Sequence, residues 1–164
     1  MPILAKYFKE KNLEDVVVVS PDHGSVTRAR NMAEYLDCPI AIVDKRRPEQ
    51  NKSEIMNIIG NIDGKNCIIL DDMIDTAGTI CNAAAAIKDL GAKDVYSCAT
   101  HAVLSGPAIK RLEESVIKEV VLLDTIPIDK DKMKDKFTTL SVAPIFAEAM
   151  TRIFTNGSVS KLFG

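Results

Sequence analysis

The residues best suited to chemistry lie where Ile69-Leu70-Asp71-Asp72-Met73-Ile74 runs into Asp75-Thr76-Ala77-Gly78-Thr79. Two adjacent carboxylates repel phosphate, but they suit sugar hydroxyls, which donate to carboxylates, or a hydrated Mg²⁺. Residues 75–79 read as the opening of a helix, with Thr76 and Thr79 available as caps and Gly78 letting backbone approach a ligand. Free N–H groups at a helix start attract phosphate, and the helix dipole adds to that attraction. A phosphate seat one step from an acidic pair describes a sugar-phosphate site. The same spacing also suits a plain strand–turn–helix whose Asp71, Asp72 and Asp75 are solvated or capping.

Further polar groups cluster at the ends of apolar runs. Asp22-His23-Gly24 follows Val16-Val17-Val18-Val19 and precedes a segment carrying Arg28 and Arg30. A carboxylate at Asp22 can ligate Mg²⁺, and the helix start after it offers N–H groups to a second anion. An Asp-Gly turn with surface arginines fits those residues equally. His23 and His101 are lone histidines at strand ends, positions more often structural than catalytic. Lys45-Arg46-Arg47 opens a basic stretch that Pro48 and Asn51 keep non-helical. Such a run is either a solvated face or a lid whose cations neutralise charge developing on a transferred phosphate.

Elements that could position these groups follow from hydrophobic patterning. Continuous apolar runs at 16–19, 40–43, 95–100, 120–123 and up to Leu70 read as strands buried on both faces, and 140–142 as a short one. Residues 54–62 are ambiguous, an edge strand being one reading. Helices are expected over 2–11, 25–36, from the 75–79 turn to Leu90 with Gly91 as its C-cap, after Ser105-Gly106-Pro107, and over 144–154. Residues 44–53 read as an exposed loop and 128–136 as a charged surface connection. Strands alternating with helices predict an α/β fold, a parallel twisted sheet with helices on both faces. Ligands of such sheets bind at the carboxyl ends of the strands. Asp22, Lys45, Asp71 and His101 each follow a predicted strand, so all four are expected to face one crevice.

At 164 residues the chain reads as one domain able to bury a proper core. A net charge of −2 argues against nucleic acid or an anionic membrane as the main partner. No apolar run approaches a membrane span, and the first residues lack a signal-peptide pattern. Cys38, Cys67, Cys81 and Cys98 form no C-x-x-C pair, and Cys67 and Cys98 sit in apolar runs, which points to buried thiols and a cytoplasmic setting.

The string from Ile69 to Thr79 resembles the phosphoribosyl diphosphate (PRPP) motif of type I phosphoribosyltransferases and PRPP synthetases: apolar residues, two acids, then Asp-Thr-(Ala/Cys)-Gly-Thr. Val18-Val19-Ser20-Pro21-Asp22-His23-Gly24, Lys45-Arg46-Arg47, Thr100-His101, Leu104-Ser105-Gly106-Pro107-Ala108 and Ser158-Val159-Ser160-Lys161-Leu162-Phe163 flank it in order. Together they resemble the ribose-phosphate diphosphokinase (PRPP synthetase) family over residues 2–163. The resemblance covers only the carboxyl-terminal of that family's two similar domains. It implies that residues 1–164 form a single phosphoribosyltransferase-like domain, without the amino-terminal half that supplies most of the adenine pocket and a metal-binding histidine.

By this resemblance the reaction is ATP plus ribose 5-phosphate giving AMP plus PRPP, the anomeric hydroxyl attacking the β-phosphorus. Asp75, Thr76, Ala77, Gly78 and Thr79 would hold the 5-phosphate, and Asp71 and Asp72 the ribose hydroxyls, partly through Mg²⁺. Lys45 and Arg47 match transition-state-stabilising cations on a flexible loop, and Asp22 matches a ligand of the Mg²⁺ that carries ATP. Ser158, Ser160 and Phe163 match a regulatory site where phosphate activates and ADP inhibits. The family also implies a homo-oligomer, a hexamer. Two residues depart from its pattern: Ser25 follows Gly24 where many relatives have a second glycine, which narrows the expected diphosphate approach, and Lys161 replaces a usual tyrosine. A PRPP-consuming phosphoribosyltransferase and a regulatory subunit that binds ribose 5-phosphate or PRPP without turnover are the other readings.

Overall fold

A computed structural model describes residues 2–46, 55–129, 131 and 133–162. Its centre is a seven-stranded sheet in the order β3-β2-β1-β4-β5-β6-β7. The strands are β1 (Val16–Ser20), β2 (Ile40–Arg46), β3 (Ile55–Ile59), β4 (Asn66–Ile74), β5 (Asp94–Ala102), β6 (Glu119–Leu123) and β7 (Phe137–Leu140). The helices are α1 (Pro2–Glu10), α2 (Val26–Leu36), α3 (Gly78–Asp89), α4 (Ala108–Glu114) and α5 (Ala143–Phe154). All neighbours pair in parallel except β2 and β3, which are antiparallel.

Side chains of successive strand residues point to opposite faces, and here both faces are covered. Val17, Val19, Cys67, Ile69, Val95, Ala99, Val120 and Leu122 pack with Ile80, Ala84 and Ile87 of α3 and Leu112 of α4. Val18, Ile68, Leu70, Tyr96, Cys98, Val121 and Leu123 pack with Leu4 and Phe8 of α1 and Ala29 and Met32 of α2. Each fully buried Ile or Leu contributes about 1.5–3 kcal/mol, which explains why these strands are apolar on both sides. The two faces also follow from handedness. From β1 the chain steps through α2 to β2 in one direction, and from β4 through α3 to β5 in the other. Right-handed crossovers in opposite directions put α2 and α3 on opposite faces. The crevice therefore opens between β1 and β4, where the strand order reverses.

Several expected boundaries shift. Residues 44–46 belong to β2, hydrogen-bonded to an antiparallel β3 that forms the sheet edge, and not to a loop. Directly after β3, Gly60 has a φ of 122° and lies so close to Ala41, whose Cβ is 2.9 Å from where a Gly60 Cβ would stand, that no side chain fits. The last strand runs over Phe137–Leu140, earlier than expected, because Asp124 Oδ1 accepts the Val142 N–H at 2.7 Å and Ser141 Oγ that of Ala143, turning the chain into α5. At the end of α3, Gly91 (φ 99°) donates to Lys88 and Ala92 to Ile87, the paired bonds of a left-handed helix stop. Among the described residues no helix is long and apolar enough to cross a membrane.

Candidate functional site

β1 and β4 pair only as far as Val19 with Ile69, whereas β4 and β5 continue together to Ile74 with Ala102. Beyond Ile69 the β1 side of β4 is open, and the polar residues of the sequence fall into that gap. A cavity of about 310 Å³ is lined by Asp22, Asp71, Met73, Ile74 and residues 75–80. Asp71 and Asp72 thus sit within β4, not after it, held there by pairing with β5.

The acidic pair is organised by groups from the β1–α2 turn. Asp71 Oδ1 accepts the Asp72 N–H at 2.9 Å and the Ser25 hydroxyl at 3.2 Å. Arg28 donates to Ser25 Oγ at 2.9 Å and lies 3.6 Å from Asp71 Oδ1 and 3.5 Å from Asp72 Oδ2. Burial pushes the Asp71 carboxyl above its ordinary value, reinforced by the charges of Asp72 and Asp22. Desolvation acts upward on Asp72 too, but its hydrogen bonding with Asp71 and the Arg28 charge outweigh it, and its pKa is lowered. Asp22 Oδ1 accepts the Ser25 N–H at 2.9 Å. Ser25 is buried, and its hydroxyl is used between Arg28 and Asp71. Arg28 was legible only as a basic residue on a helix; its fit over Asp71 and Asp72 depends on α2 crossing the ends of both strands.

The phosphate-seat turn differs from expectation in its cap. Ala77, with φ 61° and ψ 5°, is the N-cap of α3, and no side chain caps it, neither Thr76 nor Thr79. The first N–H groups of a helix lack intrahelical partners, so an uncapped start leaves them for a ligand. Asp75 Oδ1 accepts the Ser105 hydroxyl, and Thr76 O accepts Arg111 Nη1 at 3.0 Å. The Asp75 carboxylate is thus engaged by Ser105.

The remaining residues distribute as follows. Lys45 lies on β2, opposite Met56 of β3, at the same edge of the sheet as Asp22, while Arg47 lies outside the described residues. His23 Nε2 is 3.1 Å from Asp44 Oδ1, joining the β1 turn to β2. His101 does not join the crevice: its Nδ1 meets Thr125 Oγ1 at 2.9 Å, on the β6 side. That hydroxyl in turn donates to Thr100 O, tying the imidazole to the β5–β6 side. Ser158 and Ser160 follow α5, their hydroxyls 2.8 Å apart and the Ser158 carbonyl bound by Arg152, and among the described residues these bonds do not reach the crevice. Phe163 lies outside the described residues. All four cysteines are free, with Cys67 and Cys98 buried as expected.

The family described as phosphoribosyl synthetase-associated domain matches residues 47–164. The "Ribose-phosphate pyrophosphokinase" of Caldanaerobacter subterraneus subsp. tengcongensis is 64% identical over 99% of the chain and 52% of its own length. That of Bacillus subtilis is 56% identical over 99% of the chain and 51% of its own length. The chain thus spans about half the length of the curated relatives it matches. Phosphoribosylpyrophosphate synthetase from Mycobacterium smegmatis superposes with a TM-score of 0.86 at 43% identity, over 94% of this chain and 50% of that one. A purine phosphoribosyltransferase from Pyrococcus horikoshii shares the fold, with a TM-score of 0.51 at 19% identity, over 83% of this chain and 76% of that one. The motifs and the architecture agree on one assignment: the chain belongs to the phosphoribosyl synthetase family, in the part described as the phosphoribosyl synthetase-associated domain.

Proposed function

We propose that this chain binds ribose 5-phosphate and forms that part of a site where diphosphate passes from ATP to the anomeric hydroxyl, giving PRPP and AMP. The observation that carries the reading is the uncapped turn 75–79 and the Asp71-Asp72 pair lining or bordering one cavity at the strand-order reversal. Amides of residues 75–79 take the 5-phosphate; Asp71 and Asp72 take ring hydroxyls. Fixing the sugar at both ends holds its anomeric oxygen in line for attack, and in-line phosphoryl transfer is catalysed mainly by such positioning and charge neutralisation. Lys45, on β2, and Arg47 are the cations assigned to the transferring phosphates.

The crevice donors are carboxylate oxygens, and Asp22 and Asp71 are near enough for their charges to interact. Among the described residues no group of three or more metal ligands is assembled. Mg²⁺ keeps most of its waters and takes one or two carboxylates; Asp22 would hold the ion that carries ATP, and Asp71 and Asp72 would reach the ribose hydroxyls partly through Mg²⁺. When bound, the ion neutralises polyphosphate charge.

Half-length coverage supports two further points. The adenine pocket belongs to a companion half, so this chain with ATP, Mg²⁺ and ribose 5-phosphate gives little AMP. The second reading, sugar-phosphate binding without turnover, rests on the same observation. Free thiols fit the cytoplasm. Ser158, Ser160 and Phe163 are assigned to phosphate and ADP control and the assembly to a hexamer; phosphate-activation curves of Ser158→Ala and sedimentation test these.

Isothermal titration is the direct test: ribose 5-phosphate binds, and unphosphorylated ribose binds far more weakly. Equal affinities would remove the phosphate seat. In a chain joined to its companion half, Lys45→Ala and Arg47→Ala depress kcat far more than they raise KM. A preserved kcat would make these residues a binding clamp.

A further inference from the structure

The turn that offers its amides to the cavity is itself held from behind by the segment that follows β5. Leu104 N–H donates to Ile74 O at 2.9 Å, Ser105 N–H to Asp75 O at 3.1 Å, and Arg111 Nη1 to Thr76 O at 3.0 Å. Three successive carbonyls are thus taken by residues 104–111, and the Ser105 hydroxyl adds a bond to the Asp75 carboxylate. In a planar trans peptide the C=O and the following N–H point in opposite directions. The amides of Asp75, Thr76 and Ala77 are therefore aimed away from 104–111. Because that segment lies on the β5 side of β4, they face the β1 side, where Asp22 and Asp71 line the cavity.

Two further observations bear on this brace. Leu104 adopts φ 52°, a left-handed conformation costly for a branched side chain, while making its bond to Ile74. Gly78 separates the seat from a second cavity of about 450 Å³ lined by Cys81, Arg111 and Ser115 among others. Arg111 Nη1 stands in that second space, 3.6 Å from where a Gly78 Cβ would be. A guanidinium there is behind the seat and touches the turn through a carbonyl, not through the ligand.

We propose that Arg111 is a positioning residue for the phosphate seat: by drawing the Thr76 carbonyl out of the cavity it aims the Ala77 N–H into it. The inference rests on the sugar-phosphate reading of residues 75–79 and names the side chain that presents them. Arg111 also adds positive charge near the seat, and the two effects separate by salt, since at 1 M the screening length falls to about 3 Å while a covalently transmitted orientation is unaffected.

The test is titration of the intact chain and its Arg111→Met and Arg111→Lys variants with ribose 5-phosphate at 0.1 M and 1 M salt, alongside ¹⁵N shifts of the Ala77 amide on adding inorganic phosphate. Met keeps the aliphatic packing without a donor; Lys keeps a donor of similar reach. Arg111→Met is expected to weaken ribose 5-phosphate binding about tenfold, the worth of one charge-assisted hydrogen bond. The loss persists at 1 M salt, Lys recovers most of it, and the Ala77 shift shrinks. A loss that disappears at 1 M salt would make Arg111 a remote charge and overturn the proposal. Wild-type affinity and an unchanged Ala77 response in Arg111→Met would overturn it while leaving the seat intact. If the unaltered chain fails to bind ribose 5-phosphate, seat and brace fall together.

Discussion

Arg28 stands where a divalent cation would compete with it, and the consequence can be worked out. Its guanidinium lies 3.6 Å from Asp71 Oδ1 and 3.5 Å from Asp72 Oδ2, with 40% of its side chain exposed against 18% for Asp71 and 46% for Asp72. Such exposure makes a high dielectric appropriate. Unit charges 4 Å apart in water interact by about 1 kcal/mol, so a divalent ion near the pair meets about 2 kcal/mol of repulsion from Arg28. Salt at 0.1 M removes part of this, leaving about 1.4 kcal/mol, or tenfold in affinity. Arg28→Ala is therefore expected to tighten Mg²⁺ binding about tenfold in calorimetric titration with the metal alone, and Arg28→Lys to change it much less. The gain in Arg28→Ala should fade toward 1 M salt. Unchanged or weaker Mg²⁺ affinity in Arg28→Ala would refute the competition and mean that Arg28 organises the carboxylates for the ion.

Two further predictions concern the scaffold. Gly60→Ala forces a side chain into φ 122° with Ala41 Cα and Ile40 O at 3.0 Å; strain and overpacking together cost about 3 kcal/mol, or roughly 9 °C in Tm, and a melt within 2 °C or so of the parent would show that the hairpin relaxes freely. Burial acts upward on the Glu119 carboxyl, but bonds from Lys11, Tyr7 and Thr138 outweigh it and hold the group below its ordinary 4.5. A lowered carboxylate pKa stabilises the fold above the unfolded value, and the contribution is lost as pH falls through the folded value. Glu119→Gln should then lower Tm at pH 7 and flatten its decline below about pH 4.5; parallel acid limbs in the two proteins would deny Glu119 that role.

Strand interiors were legible because burial on both faces demands unbroken apolar runs, as at 16–19 within β1 and 120–123 within β6. Strand ends were not. Asp71, Lys45 and His101 read as loop residues by polarity, yet each lies in a strand because a neighbour continues to pair with it, and Asp72 lies in β4 between two paired residues. Backbone ladders do not depend on side-chain polarity, so composition carries no sign of where they stop. The same limit applies to Thr76 and Thr79, which have the chemistry of caps but yield that place to Ala77 at φ 61°.

By itself the sequence determined which groups could touch a sugar phosphate, since Asp71-Asp72 and residues 75–79 are adjacent in the chain and their chemistry is local. Only the tertiary structure decided how those groups are presented. Ser25 and Arg28 reach Asp71 across 46 and 43 residues of chain, and Arg111 reaches Thr76 across 35. Such contacts arise from two strands ending at different heights beside a reversal of strand order, and a spacing along one chain does not encode that geometry.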